Sequence, residues 1–383
     1  MNEAYIHKMK NLLTIPLLLL MSGVIAQKRT FLVVGTYTSG TSEGVHVFNF
    51  NTGTGEAKLL NVAKVANPSF LAISPNEKNV FAVSEVANER SKGGRIVSFS
   101  FDQSTGKLSK INEQASQGNN PCYVTTDKTG KWVITGNYSS GTLAVLPAAA
   151  GGRLDSAVTS IAHTGSSVNS DRQNDPHVHA TVLSPDEKYL YVPDLGIDKI
   201  MVYRFNKKNG SLMPAATPFV MTRPGSGPRH FTFHPNKKFA YLVEELTGGV
   251  SAYRYNKKTG DLSLIQNNST LEPDFMGYPG SADIHVSPDG KFLYASNRGE
   301  SNSIAIFSIN KSGGLTAVGH QPVLGKTPRN FNFDPTGNFL LVANQDSDEI
   351  VLFNVNKDTG LLQDSGKRVK LGKPVCIKWI TAN

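Results

Sequence analysis

Cysteine is nearly absent: Cys122 and Cys376 are the only two in 383 residues. Two thiols build no disulfide framework. They fall at equivalent positions of the repeat described below, in units that are not neighbours, so no bond between them is expected and both read as small buried hydrophobes. Metal-ligand patterns are also missing. There is no paired-His spacing, no Cys cluster and no calcium loop, so neither a metal nor a cofactor is expected. No G-x-S-x-G elbow and no phosphate-binding glycine loop occurs. Beyond the N-terminus there is no long helical periodicity, which points to an all-β chain.

The charge is one-sided, +9 at neutral pH. Lys207-Lys208, Lys237-Lys238 and Lys257-Lys258 sit in turns, and turns spread around a molecule do not make one patch. No interleaving of aromatic and basic residues marks a nucleic-acid groove. We read a well-solvated basic surface with no nucleic-acid partner, on a monomer or weak homo-oligomer.

One long apolar run is present, at the start. Lys8 and Lys10 precede Leu12 to Met21, and Val24 and Ala26 make a small-residue cleavage site before Gln27. The run is too short to span a bilayer comfortably. Residues 1–26 are therefore expected to be a signal peptide and 27–383 one domain, periplasmic or secreted, without membrane contact after cleavage.

What the chain has in abundance is turns, with 35 glycines and 20 prolines spread evenly. Seven short apolar runs recur about every 50 residues: Phe31–Gly35, Val80–Ser84, Trp132–Asn137, Leu190–Asp194, Ala240–Glu244, Leu293–Asn297 and Leu340–Asn344. Turns such as Ser184-Pro185-Asp186 precede them. A third strand follows, then a Gly-containing hairpin such as Thr259-Gly260, then a fourth strand. Four strands repeated seven times make a seven-bladed β-propeller. The unit near Ala148–Gly152 is irregular, and Thr159–Asp175 reads as a longer loop. The chain starts at a second strand and ends at Pro374–Trp379, which looks like a first strand. Pairing of that C-terminal strand with the N-terminal blade is expected to close the ring and remove the open edge.

Two places in every unit face the same end of such a disc: the start of the first strand and the end of the second. The first set reads Asn67-Pro68, Pro121-Cys122, His177-Val178-His179, Pro228-Arg229, Asp283-Ile284-His285, Pro328-Arg329 and Lys373-Pro374. The second reads Tyr37, Glu85, Asn137-Tyr138, Asp194, Glu244-Glu245, Asn297-Arg298 and Asn344-Gln345. Arginines, histidines and carboxylates thus converge on one axial cleft, which focuses field and holds anions. Arg229, Arg298 and Arg329 suit carboxylate or phosphate recognition. His179 is the better general acid or base, His177 the weaker, and Asp283 orients His285. Glu245, among cations, stays ionised and is the candidate to activate water. Glu85 and Asp194 are alternates, Glu244 packs between blades, and His230 and His234 lie away from the cleft. Asn137 and Asn344 join Arg329, His285 and His177 as substrate-binding candidates.

GPRHFTFHPNKKFAYLVEEL, PHVHATVLSPDEKYLYVPDLGIDKI, ADIHVSPDGKFLYASNR and TPRNFNFDPTGNFLLVAN resemble the seven-bladed lactonase family. Its members include the bacterial propeller-type 6-phosphogluconolactonase and the fungal carboxy-cis,cis-muconate cyclase. The resemblance covers about residues 30 to 380. It implies an active site of His179, Arg229, Glu245 and Arg298, by analogy with the His, Arg, Glu and Arg of the cyclase. The expected activity is metal-independent hydrolysis of a sugar lactone or another small anionic lactone. Export bears on the substrate: a phosphorylated lactone is a cytoplasmic intermediate, and a periplasmic sugar lactone fits an exported chain as well. The alternatives are a cyclase of the muconate type, a non-catalytic binding propeller, and a metal-dependent six-bladed lactonase.

Overall fold

A computed structural model describes residues 29–87 and 93–382. The expected signal peptide lies outside them. The described strands form seven four-stranded sheets arranged as a β-propeller. Among the described residues helix is confined to one 3-10 turn, Gln345–Ser347.

The ring closes as the chain ends imply. The first sheet runs from Pro374–Ala382 through Arg29–Thr36 and Gly44–Phe50 to Ala57–Lys64. Arg29 pairs with Ala382 and Val34 with Ile377, antiparallel. One sheet is thus built from both ends of the chain, and neither end leaves an unpaired inner edge.

The seven apolar runs are the second strands. Phe31 to Val34, Val80 to Val83 and Leu340 to Ala343 are all at most 1% exposed, because these strands are covered on both faces by neighbouring blades. The outer strands meet water, as Leu212–Met221 does, with most of its residues exposed. Apolar clusters fill the gaps between adjacent blades; one joins Tyr191 and Val202 to Phe231 and Leu242. Hairpin glycines seal these gaps. Gly260 (φ +81°) lies against the Tyr189 ring and Gly313 (φ +88°) against Phe239, where a Cβ would come within 2.6 and 2.4 Å of ring carbons. Both the left-handed backbone and the close approach require glycine.

Two expectations need correction. The stretch after Val158 is not all loop: Thr159–Ala162 is the fourth strand of its sheet, paired with Thr142–Pro147. The two cysteines, both buried and free, are not at equivalent positions. Pro121 and Pro374 correspond, so Cys122 matches Val375, and Cys376 lies one residue further along its strand.

Candidate active site

One backbone hydrogen bond recurs in all seven blades. The residue just past the second strand donates its N–H to the residue just before the first strand. The donors are Tyr37, Glu85, Tyr138, Leu195, Glu245, Arg298 and Gln345, at 2.8–3.3 Å. These seven residues form the rim of an axial pit. Below them the first strands carry a bulge. Pro228 pairs with Glu244 and His230 with Val243, leaving Arg229 unpaired. Cys122, Arg329 and Val375 are left unpaired in the same way. A bulge re-aims the side chain it carries, and here it turns each one toward the hub.

At the centre is Glu245, 4% exposed. Its Oε2 accepts from Arg229 Nε at 2.8 Å and meets Arg298 Nη2 at 3.0 Å. Its Oε1 accepts from Arg172 Nη2 at 2.8 Å. His179 Nε2 stands 3.9 Å from Oε2. Burial alone would raise the Glu245 carboxyl, but the guanidiniums of Arg298, Arg229 and Arg172 hold it well below the usual carboxylate range. Burial, then Arg229, pushes His179 well below the ordinary imidazole value. His179 is therefore neutral, and its approach to Glu245 is not an ion pair. Burial with Arg298 and Arg329 brings Arg229 down to about 10, still protonated at neutral pH.

The other half of the pit is built on Glu85. It accepts from the Tyr37 hydroxyl at 3.0 Å and from the Ser69 hydroxyl. The Arg329 guanidinium lies over the Tyr37 ring, 5.3 Å from its centroid. Among the described residues Arg329 has no carboxylate within ion-pair distance. Of the pit's guanidiniums, Arg172, Arg229 and Arg298 are committed to Glu245 and Arg329 is open. Under the rim a narrow space of about 10 Å³, bordered by Cys122, His179, Arg229, His230 and Arg329, has room for about one water. The larger grooves, about 490 and 700 Å³, lie among turns at the opposite end of the disc and include none of these residues.

The structure therefore brings His179, Arg229, Glu245 and Arg298 together, with Arg329 across the pit. His177 is at the rim, its ring stacked on Tyr138 with centroids 4.3 Å apart. His285 is not at the rim. Gly280 and Ser281 take the place that Pro228 and its predecessor hold in the Arg229 blade, so Asp283 and His285 lie deeper along the axis. Asn137 and Asn344 do not line the pit. Both are fully buried. Their amides donate to the carbonyls of Ser116 (2.9 Å) and Val323 (3.1 Å), each just past the outer strand of the preceding blade. Asn297 does the same to Thr270 at 2.8 Å, so these residues tie blades together. Asp194, the alternate acid, is locked to His163 at 2.6 Å in the same position. Glu244 takes that place in its own blade and is held by Arg223 and Ser251.

Two further residues belong to the pit: Arg172, absent from the sequence reading, and His230, which that reading sets away from the cleft. Arg172 arrives from the long loop and donates to Tyr138 (3.1 Å) and Tyr278 (3.0 Å) as well as to Glu245. Its only sequence signal is a basic residue in the one extended loop. His230 is at the hub, its ring 5.3 Å from that of His179. His234 is held in a turn by the Gly290 carbonyl at 2.9 Å, away from the pit.

Comparison with known proteins gives the family. Residues 31–379 match the family model for the seven-bladed β-propeller lactonases. A 6-phosphogluconolactonase of Formosa agariphila is 42% identical, the alignment covering 86% of this chain and 94% of that protein. One of Bacillus subtilis is 37% identical, covering 91% and 97%. The solved periplasmic gluconolactonase of Pseudomonas aeruginosa superposes with a TM-score of 0.87 at 37% identity, over 93% of this chain and all of that one. The chain belongs to the lactonase family of seven-bladed β-propellers.

Proposed function

We propose that this lactonase opens an aldonolactone ring, of the gluconolactone type, by attack of water on the ring ester at the floor of the axial pit. The observation that carries this reading is the charge imbalance around Glu245. Three guanidiniums face one carboxylate, so the pit holds surplus positive charge where the carbonyl oxygen becomes anionic. Fixed donors at such a point are usually the largest single contribution to acyl transfer. Glu245 itself is a poor base, because both its oxygens are engaged and its proton affinity is low. Its part is to collect and aim the arginines. Proton transfer falls to a neutral imidazole at the pit floor. Arg329, open beside Tyr37 and Glu85, receives the anionic or hydroxyl-bearing end of the sugar.

His179→Ala and Glu245→Gln, assayed against phosphorylated and unphosphorylated aldonolactones, test this. Both should lose at least about 100-fold in kcat/KM. Wild-type turnover in both variants removes the mechanism, and consumption of carboxymuconate instead of lactones moves the activity to the cyclase class.

We infer also that the chain is exported. The leader pattern around Lys8, Lys10 and Leu12 to Met21 supports this, as does the likeness to a protein described as periplasmic. The mature protein, recovered outside the cytoplasm, should begin at Gln27 by mass spectrometry. An intact Met1 in the cytoplasm contradicts it.

A further inference from the structure

Within that lactonase reading, on which this inference rests, we propose that His230, oriented by Asp283, is the base that takes the proton from the attacking water, while His179 donates a hydrogen bond to the carbonyl oxygen.

His230 Nδ1 lies 2.8 Å from Asp283 Oδ1. Asp283 is 4% exposed and fixed from several sides. Its other oxygen meets His285 Nε2 at 3.0 Å and accepts from the Asn330 amide. Burial would raise this carboxyl, but His285 and His230 hold it well below the usual range, so it is ionised. An ionised carboxylate needs N–H donors. His230 therefore carries its proton on Nδ1 and its lone pair on Nε2. Among the described residues no protein group hydrogen-bonds that Nε2. The ring borders the water-sized space that His179, Arg229 and Arg329 also border.

His179 has the reverse arrangement. Its ring meets that of His230 edge to face, centroids 5.3 Å apart. Nε2 faces the ionised Glu245 at 3.9 Å, and Nδ1 faces the Cys122 sulfur at 3.8 Å. Burial pushes the Cys122 thiol up to about 12, so the sulfur keeps its proton, with the Val178 and His179 carbonyls also within reach of it at 3.6 and 3.7 Å. The ionised carboxylate facing Nε2 favours the His179 proton on that nitrogen. One imidazole offers a lone pair and the other an N–H, across room for one water. Two groups set in opposite states by their surroundings mark an acid and base assignment.

The step balances within these groups. Water gives a proton to His230 Nε2 as its oxygen bonds to the carbonyl carbon. The carbonyl electron pair moves to oxygen, where Arg229, Arg298 and the His179 N–H stabilise it. On collapse the ring C–O bond breaks and the proton on His230 goes to the departing ring oxygen. Asp283 stabilises the imidazolium in between, as a buried carboxylate does in an Asp–His pair.

The test uses the intact protein and D-glucono-1,5-lactone. His230→Gln should lower kcat about 100-fold or more while KM stays within about threefold, and Asp283→Asn should lower kcat by a smaller factor in the same direction. A His230→Gln protein with wild-type melting and wild-type kcat overturns the assignment but leaves the lactonase reading intact; failure of the wild type to open any lactone overturns that reading instead. If either variant melts early, wild type labelled with 15N-histidine decides. The proposal requires a lone pair on His230 Nε2 and a proton on His179 Nε2 at neutral pH. The opposite tautomers overturn it.

Discussion

Arg229 Nε and Glu245 Oε2 lie 2.8 Å apart although a whole hairpin separates them in the chain. Pro228 opens the inner strand and Glu244 closes the second, and the two pair directly. The residue after each is then delivered to the same spot, one by a bulge and one by the rim. The pair is buried at both ends, with side chains 1% and 6% exposed, so its energetics are those of desolvated charge.

Glu245→Gln should therefore cost stability as well as activity. It leaves Arg229 facing Arg298 and Arg172 with no counter-charge, and breaking a buried pair this way costs about 3–5 kcal/mol. Urea unfolding of the variant measures this. A loss below about 1 kcal/mol, the range of an exposed pair, contradicts the buried cluster.

Arg329→Met should behave in the opposite way. The guanidinium has no carboxylate partner to abandon, so stability should stay within about 1 kcal/mol of wild type. Loss of a charge-assisted contact to substrate should raise KM about tenfold or more while leaving kcat near wild type. Steady-state kinetics with a phosphorylated and an unphosphorylated lactone separate the two effects. A kcat defect with normal KM places Arg329 in the chemical step instead.

Arg172→Ala probes the loop that the repeat does not describe. Its side chain is about one-third exposed, and solvent screens its bond to Glu245, so stability should fall by less than about 1 kcal/mol. Its contacts to Glu245, Tyr138 and Tyr278 close one side of the pit, and kcat/KM should drop about tenfold. Unchanged kinetics would show that this loop plays no part in the pit.

Stability should decline as pH falls from about 6.5 to 4. Burial and Arg229 hold His230 at about 4, against 6.5 for a free imidazole. Asp283, His179, Arg229, Arg329 and Tyr123 surround its ring. Between those values the unfolded chain binds a proton that the folded chain does not, so acid favours unfolding. A difference of this size corresponds to roughly 3 kcal/mol, present above pH 6.5 and lost on the way down to about pH 4. His179 acts in the same direction. The depressed carboxyls of Glu245 and Asp283 add a second loss that starts near the usual carboxylate range and continues below it. Urea midpoints across this range should fall steadily in wild type and less steeply in His230→Gln.

Much of this was readable in the chain. The second strands are short apolar runs ended by a polar residue, and that pattern survives because both faces are buried. A hairpin returns its ends together, so Arg229 and Glu245 could be paired without coordinates. The misreadings have local causes. No proline marks the strand start at Ser281, so the sequence alone sets Asp283 and His285 too close to the rim. Asn137 and Asn344 end their strands, but the rim residue is the next one, and the asparagine turns back to the preceding blade. His230 reads from the sequence as lying away from the cleft, because strict alternation allows only one of Arg229 and His230 to reach the hub. The bulge leaves one residue unpaired and brings both there. Arg172 belongs to no repeat, and only the fold shows where its loop lands.

The central claim is that this hub is built to open a lactone ring. It is tested most directly by following acid release from D-glucono-1,5-lactone and its 6-phosphate, with and without the purified wild-type protein and with a chelator present. The account predicts saturable hydrolysis well above the spontaneous rate, unaffected by the chelator, for at least one of the two. Acid release at the spontaneous rate for both, from a folded protein, contradicts it.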